Sequence, residues 1–455
     1  MKKGNLVNVT ITASDSEGRG ICRIGNFAVF VDESVIGDEL LIELTKLNKT
    51  YGFGKIINIL TPSPHRKAPN CPSFKACGAC QLMHIDYDFQ LSMKRQVVKD
   101  ALSKIGGFSN IEVEKTIGME KPFFYRNKSQ FPVCAKKDGF AIGFYQKNSH
   151  IAINMESCDV SSPIAMQIAN AIRIFMQTHH LKAYNETTHT GLVRHVFVRN
   201  TTDENEVMVV LVINGKSLPQ SEELVKLLTE RFPQIVSIYQ NINTKKTNLI
   251  MGYENRLLYG KAYLSDTILG KTFHISPVSF YQINHEQTEK LYAKAISLAQ
   301  ISKNDTVFDL YCGIGTITLC LADYAKQVIG VEYVPEAIEN AKENAKLNHI
   351  DNVSFYAGAA EEIVPKLAKE SVKADIVVLD PPRKGAEASL LQTILDMKPK
   401  RIVYVSCNPA TLARDCKILA ESGEYEIKAV QPFDMFCQTS HVETVVLMER
   451  QHNHM

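Results

Sequence analysis

Apolar and polar residues alternate through Val7, Asn8, Val9, Thr10 and Ile11, the period-two pattern of a half-buried strand. Residues 27–31, 40–47 and 55–60 repeat the signal, with glycines at 18, 20, 25, 37, 52 and 54 between the runs. Five short strands with glycine corners predict a small closed barrel of the OB type over residues 1–60. Such a barrel serves either as a single-stranded nucleic-acid platform or as a structural interface. The proline-rich stretch 61–69 reads as a linker. The period then lengthens: Val97, Ala101, Leu102 and Ile105 share one side of a predicted helix over 86–105, stopped by Gly106 and Gly107. That helix is free to pack on the C-terminal part of the chain. Strand signals return between 120 and 260, with a hairpin turn at 136–139 and a second hairpin joining 192–199 to 206–214.

From about residue 263 strands and helices take turns. A helix over 284–300 is capped by Asn284, with Gln287 at the capping-box position. Strands follow at 306–311, 328–334, 353–357, 375–379 and 401–405, with helices at 335–347 and 361–369 among them, and two further strands at 425–430 and 442–449. This alternation predicts an α/β domain with a doubly wound, Rossmann-like parallel sheet. The division is therefore threefold: a barrel over 1–60, a β-rich central domain over 61–262, and the α/β domain over 263–455.

Composition narrows this picture only a little. A net charge of +2 over 455 residues gives no whole-molecule attraction to polyanions, so any nucleic-acid surface must be local. No apolar run approaches a membrane span and no signal-peptide pattern follows Met1, which points to the cytoplasm. Eleven cysteines in such a chain point to metal ligation or thiol chemistry rather than disulfides.

The thiols fall into two groups. Cys71, Cys77 and Cys80 are spaced to converge on one centre, and a fourth ligand comes from Cys158 or Cys134, with Cys158 preferred because Cys134 sits in a strand-like run. All-cysteine ligation suits zinc or an iron–sulfur cluster, and spacing alone leaves the metal open. Cys407 stands apart, where the strand ending Tyr404-Val405-Ser406 meets Asn408-Pro409, the position of a reactive residue in an open α/β sheet. Cys312, Cys320, Cys416 and Cys437 read as packing residues.

Around Cys407 the sequence supplies a donor site and a base. Gly313 and Gly315 let the backbone approach a ligand, Thr318 replaces the third glycine of a dinucleotide fingerprint, and Glu332 ends the next strand as a ribose acceptor. The combination fits S-adenosylmethionine. Asp380 leads a rigid Pro381-Pro382 turn at the mouth of the site. Glu443 shares a strand face with Val445 and Leu447, and a carboxylate in apolar company acquires the raised pKa of a proton acceptor; His441 and Asp434 are weaker candidates. One thiolate, one base and a methyl donor are what alkylation of uracil C5 needs, with some local lowering of the Cys407 pKa as a help. Arg126 and Lys128, beside Phe123, Phe124 and Tyr125, form a mixture able to stack a base and hold an RNA phosphate.

Four motifs then carry a specific resemblance: Phe-Asp-Leu-Tyr-Cys-Gly-Ile-Gly-Thr from 308, Asp-Pro-Pro-Arg-Lys-Gly from 380, Val-Ser-Cys-Asn-Pro-Ala-Thr-Leu-Ala-Arg-Asp from 405 and His-Val-Glu-Thr-Val from 441. Together they resemble the RNA (uracil-5-)-methyltransferase family. The barrel resembles its TRAM domain, and the cysteines resemble those of its iron–sulfur, ribosomal-RNA branch. The resemblance implies Cys407 as nucleophile and Glu443 as base. It places Gln282, Tyr311, Glu332 and Asp380 at donor-binding positions and Cys71, Cys77, Cys80 and Cys158 around a [4Fe-4S] cluster. Thr316 stands where some relatives carry Asn. The implied substrate is a flipped uridine of 23S ribosomal RNA. The alternatives are a tRNA uridine, adenine N6 methylation through the Asp-Pro-Pro motif, and a non-catalytic RNA-binding metalloprotein.

Overall fold

The structure is a computed structural model that describes residues 1–247 and 249–451. The first alternating segments form β1 (Leu6–Thr10), β2 (Ala13–Ser14), β3 (Gly20–Ile24), β4 (Phe27–Val31), β5 (Glu39–Leu47) and β6 (Tyr51–Thr61). They make one curled sheet of order β1-β5-β6-β4-β3-β2 around Val9, Ile11, Cys22, Val29, Leu40 and Ile42. Six strands stand where five were expected; β2, only two residues long, and β3 both lie outside the runs named from the pattern.

The proline-rich stretch is not a free linker. Asp38 is fully buried and draws that stretch onto the barrel: Ser63 N donates to it at 2.9 Å and Arg66 Nε at 3.0 Å. A buried carboxylate must collect donors, and a sequence window of a few residues cannot reveal a partner 28 positions away.

Helix α1 (Tyr87–Lys104) lies against the C-terminal part of the chain through Val98, Ala101 and Leu102. Its Lys94 forms an ion pair with Asp434, both side chains out of solvent, and also donates to Phe436 O at 3.1 Å. Tyr87 Oη donates to the same carboxylate at 2.7 Å. Lys94→Met leaves the Asp434 charge buried without its cation, so a loss of about 3–5 kcal/mol is expected; the shift in the urea unfolding midpoint measures it, and an unchanged midpoint would refute it.

The central domain consists of β7 (Lys128–Lys136), β8 (Gly139–Ile142), α2 (Pro163–Thr178), β9 (Val193–Asn200), β10 (Val207–Ile213), α3 (Ser221–Arg231), β11 (Ile235–Ile242) and β12 (Glu254–Gly260), with sheet order β12-β11-β10-β9-β7-β8. Both predicted hairpins form, β7 with β8 and β9 with β10. Every residue of β9 and β10 is buried. One face packs on α2 and α3, while Phe197, Met208 and Val210 on the other join the core of the next domain.

A hairpin of β13 (Leu264–Ile268) and β14 (Lys271–Ile275) leads to α4 (His285–Ala299), where Asn284 Oδ1 accepts from Gln287 N at 3.2 Å. The Gln287 side chain does not close the capping box; it donates to Gly118 O at 2.8 Å. The alternating region then runs β15 (Thr306–Leu310), α5 (Thr316–Ala322), β16 (Gln327–Glu332), α6 (Pro335–Leu347), β17 (Val353–Ala357), α7 (Ala360–Lys369), β18 (Ile376–Leu379), α8 (Ala388–Met397), β19 (Arg401–Ser406), α9 (Pro409–Glu421), β20 (Tyr425–Phe433) and β21 (Glu443–Arg450). The sheet order is β17-β16-β15-β18-β19-β21-β20. Strands β15 to β19 are parallel; β21 inserts antiparallel between β19 and β20. No helix among the described residues is long and apolar enough to cross a membrane.

Candidate active site

A parallel sheet ends all its strands at one edge, and the loops there share one floor. At that edge β21 pairs with β19 so that Ser406 stands opposite Thr444. The next residues outward are Cys407 and Glu443, and both line a cavity of about 770 Å³ with Gln282, Tyr311, Glu332, Asp380 and Arg383. Asn408 caps α9, its Oδ1 accepting from Ala410 N at 3.0 Å, and Pro409 occupies the first helical turn, where its missing N–H costs nothing. The motif that reads as a strand stop is therefore also a helix start.

The loop after β15 is fitted to a ligand. Gly313 and Gly315 have φ of 55° and 83°, in the left-handed region that favours glycine. A Cβ on Gly313 would meet nothing within 4 Å, so the space beside it is open. Glu332 fixes the loop: Gly313 N donates to one carboxylate oxygen at 3.1 Å and Val334 N to the other at 3.0 Å. Thr318, in place of a third glycine, donates its hydroxyl to the buried Asp309, whose carboxyl is pushed up to about 8 by burial. Thr316 turns away to Tyr292 Oη at 2.9 Å.

Electrostatics in the cavity run opposite to one expectation. The Cys407 thiol is pushed up to about 11, first by burial and then by the Glu443 and Asp380 carboxylates, with Arg383 opposing. The thiol is not lowered locally, because burial raises it most and the two acids add more than the one cation removes. Burial also drives the Glu443 carboxyl well above the ordinary range, with Asp380 adding and Arg383 opposing. Asp380 is pushed up to about 7 by burial.

Several contributors escape a sequence reading. Arg383 is the cation facing both Cys407 and Glu443. Its carbonyl accepts from Asn408 Nδ2 at 3.0 Å and Thr411 Oγ1 at 3.3 Å, which ties the Asp-Pro-Pro-Arg turn to the start of α9. From the central sheet, the buried Arg199 donates to Ser276 O and Ser279 O, and Asn127 donates to Gln282 O at 2.9 Å. These bonds hold the segment that presents Phe280 and Gln282 to the cavity. No local signal singles out Arg199, because its strand also carries Arg194 and His195. Of the weaker base candidates, Asp434 is committed to Lys94, and His441 packs edge-on against Phe436 with ring centroids 5.9 Å apart, outside the residues that line the cavity.

Cys71, Cys77, Cys80 and Cys158 form a second group. All six pairs are near enough for one thiolate to raise another, on top of the larger effect of burial on the first three; Cys80 is pushed up to about 12. Cys134 stays on β7, its thiol donating to His150 O at 3.7 Å. Cys312, Cys320, Cys416 and Cys437 are buried. Arg126 turns to the thiols, lowering Cys77 and Cys80. Lys128 Nζ lies 5.9 Å from the Phe280 ring beside the cavity, and burial pushes its ammonium down to about 8.

Comparison with known proteins decides the family. A family model described as tRNA (Uracil-5-)-methyltransferase matches residues 86–451, and the TRAM domain model matches residues 2–57. The chain belongs to the RNA (uracil-5-)-methyltransferase family. The methyltransferase is 46% identical to a Clostridium tetani protein named as an uncharacterized RNA methyltransferase, over 98% of this chain and 97% of the relative. A Bacillus cereus protein of the same name is 44% identical over 99% and 98%. Among solved structures, the Pyrococcus abyssi tRNA (uracil-54, C5)-methyltransferase in complex with S-adenosyl-L-homocysteine superposes with a TM-score of 0.78 and 27% identity, over 97% of this chain and all of that one. The chain is an S-adenosylmethionine-dependent RNA methyltransferase with an N-terminal TRAM domain, and both were expected from its motifs.

Proposed function

We propose that this methyltransferase alkylates C5 of a uridine in 23S ribosomal RNA, with Cys407 as covalent nucleophile and Glu443 as base. The observation that carries the reading is the pairing of β19 with β21, which sets Cys407 and Glu443 side by side in one cavity. The cavity fits the donor: space lies open beside Gly313, the Glu332 carboxylate stands at the strand end, and Tyr311, Gln282 and Asp380 complete the wall. When bound there, S-adenosylmethionine supplies an electrophilic methyl group for C5 and leaves as the neutral thioether.

The residues do the rest. The Cys407 sulfur bonds to C6 of the uracil, and the electron pair of the C5–C6 double bond becomes available at C5. After C5 is methylated, Glu443 removes its proton, the pair re-forms the C5–C6 double bond, and the thiolate leaves. The base must leave its stack to reach this depth. The barrel and the central domain, over 1–60 and 61–262, hold the surrounding RNA, Lys128 serving as a phosphate contact beside Phe280; the domain over 263–455 does the chemistry.

Both reacting groups must lose protons, and both hold them tightly. With the thiol near about 11, kcat/KM is expected to climb from pH 6 to pH 9 by up to about tenfold per unit. A rate flat over that range would contradict the assignment of these two groups.

Cys71, Cys77, Cys80 and Cys158 are proposed to hold a [4Fe-4S] cluster. Among the described residues no group of three or more His, Cys, Asp or Glu is set to hold a metal ion, so the choice of a cluster over zinc follows from the resemblance of the cysteine pattern and not from the thiol geometry. What supports the ligand set is that the four thiols are near enough for one thiolate to raise another, with the Arg126 cation beside them to offset negative charge. Cys158→Ser is expected to remove most bound iron and sulfide and the visible absorbance, while Cys134→Ser leaves them; equal iron in both would overturn the ligand set.

A tRNA uridine is the second reading, favoured by the similarity to the Pyrococcus abyssi tRNA (uracil-54, C5)-methyltransferase. Trapping decides between them. Fluorine at C5 cannot leave as a proton, so total RNA carrying 5-fluorouridine stays bonded to the enzyme. Adducts mapping to 23S ribosomal RNA support the first reading; adducts on tRNA alone replace it with the second.

A further inference from the structure

The loop between β20 and β21 is fastened from outside its own domain, and Gln438 is the hub. It is fully buried and has a φ of 67°, a left-handed conformation that residues other than glycine avoid. Its carbonyl accepts from Gln81 N at 3.1 Å and Leu82 N at 3.0 Å. Its side-chain Oε1 accepts from Gln90 Nε2 at 3.0 Å, and its Nε2 donates to Pro122 O at 3.4 Å. Gln81 also binds the loop through its side chain, Oε1 accepting from Ser440 N at 3.4 Å. Tyr125 Oη donates to Cys437 O at 3.0 Å. Gln81 and Leu82 follow Cys80 directly in the chain. The segment that carries three of the clustered cysteines is thus hydrogen-bonded, residue by residue, to the loop that supplies Phe436 to the cavity wall and runs on into Glu443.

We propose that Gln438 is a positioning residue for methyl transfer, which transmits the order of the cysteine-bearing segment to Glu443. The inference rests on Glu443 being the base. Its physical content is geometric. A base removes a proton only from hydrogen-bond reach, and a displacement of about 1 Å costs up to about 100-fold in rate. Lys94 holds the loop at Asp434 and β21 holds it after Glu443; Gln438 holds the span between them in a backbone conformation that it does not favour unaided. Loosening that span frees Glu443 and Phe436 without touching Cys407 or the donor loop.

The step that suffers is therefore proton removal, which comes after the sulfur–C6 bond has formed. Gln438→Leu keeps the bulk and loses both side-chain bonds. With ordinary uridine RNA it is expected to turn over about 10- to 100-fold more slowly, to keep its KM for S-adenosylmethionine within about twofold, and to accumulate a covalent protein–RNA adduct on denaturing gels. Gln81→Ala, at a half-buried and more forgiving site, gives a smaller version of the same result. Hydrogen exchange of residues 434–441 is expected to quicken in Gln438→Leu and in Cys80→Ser alike. Turnover within twofold of wild type, slow turnover without an adduct in both variants, or unchanged exchange in Cys80→Ser overturns the proposal. Glu443→Gln separates the two ideas. If it accumulates no adduct, the base assignment falls and this inference with it; an adduct there but none in Gln438→Leu overturns the inference alone.

Discussion

Serine in place of Cys407 is expected to lower methyl incorporation into uridine by at least roughly 10⁴-fold, with the affinity for S-adenosyl-L-homocysteine unchanged. The size follows from the chemistry. Carbon C5 becomes nucleophilic only after addition at C6, and a hydroxyl in this cavity has no means to add. Even the thiol is held near about 11 by burial and by two neighbouring carboxylates; a serine hydroxyl starts far higher and meets the same repulsion. The unchanged affinity follows from the topology. Cys407 closes β19, whereas the ligand-fitted loop after β15 is fixed by Glu332 from β16. Radiolabel transfer and calorimetric titration read the two quantities separately. Methyl incorporation that survived the substitution would instead point to amine methylation through the Asp-Pro-Pro turn, a chemistry that needs no thiol.

Glu443→Gln is expected to slow turnover by about 10²- to 10⁴-fold and also to make the protein more stable. The second effect follows from the sign of the pKa shift. The folded-state carboxyl lies well above its ordinary value because burial and Asp380 disfavour its charge. Below the ordinary carboxylate range both the folded and unfolded forms are protonated, and the residue has no pH-dependent effect. As pH rises past that range the unfolded chain ionises freely while the folded one resists, so the wild type loses stability until the folded pKa is passed. Glutamine removes this penalty. The difference in melting temperature between Glu443→Gln and wild type is therefore expected to be small near pH 4 and larger at pH 8. A gap that closes with rising pH would contradict the raised pKa. If Glu443 is the base as proposed, it is held in a state that favours catalysis at the expense of stability, a trade common at active sites.

Much of this was legible in the residue pattern. Strands β15, β16, β18 and β19 are apolar runs bounded by turn signals, as expected for strands buried on both faces. Asn284 marked its helix because a short polar side chain before an apolar period can do little else. Cys407 stood out because a strand ended beside a proline. Other features were out of reach. The 61–69 stretch carries every mark of a linker, yet the buried charge of Asp38 holds it down. The Cys407 pKa moved up, since burial in the folded chain raises it most and the carboxylates that add to it come from β21 and the turn after β18. Arg126 reads as a base on an RNA-facing strand, but its guanidinium lies among the thiols.

The sequence by itself determined most helices and strands of the alternating region after 263, because those depend on residues a few positions apart and on periods of two and 3.6; it did not reveal α2 and α3, which lie where only strand signals were read. It also determined which side chains have the chemistry to act. What only the tertiary structure decided is which of them meet. The insertion of β21 between β19 and β20 brings Cys407 and Glu443, 36 positions apart, into one cavity. No local preference encodes that neighbour relation: strand order in an open sheet is fixed by which faces are buried and by the loops that can span them, a property of the whole packed core.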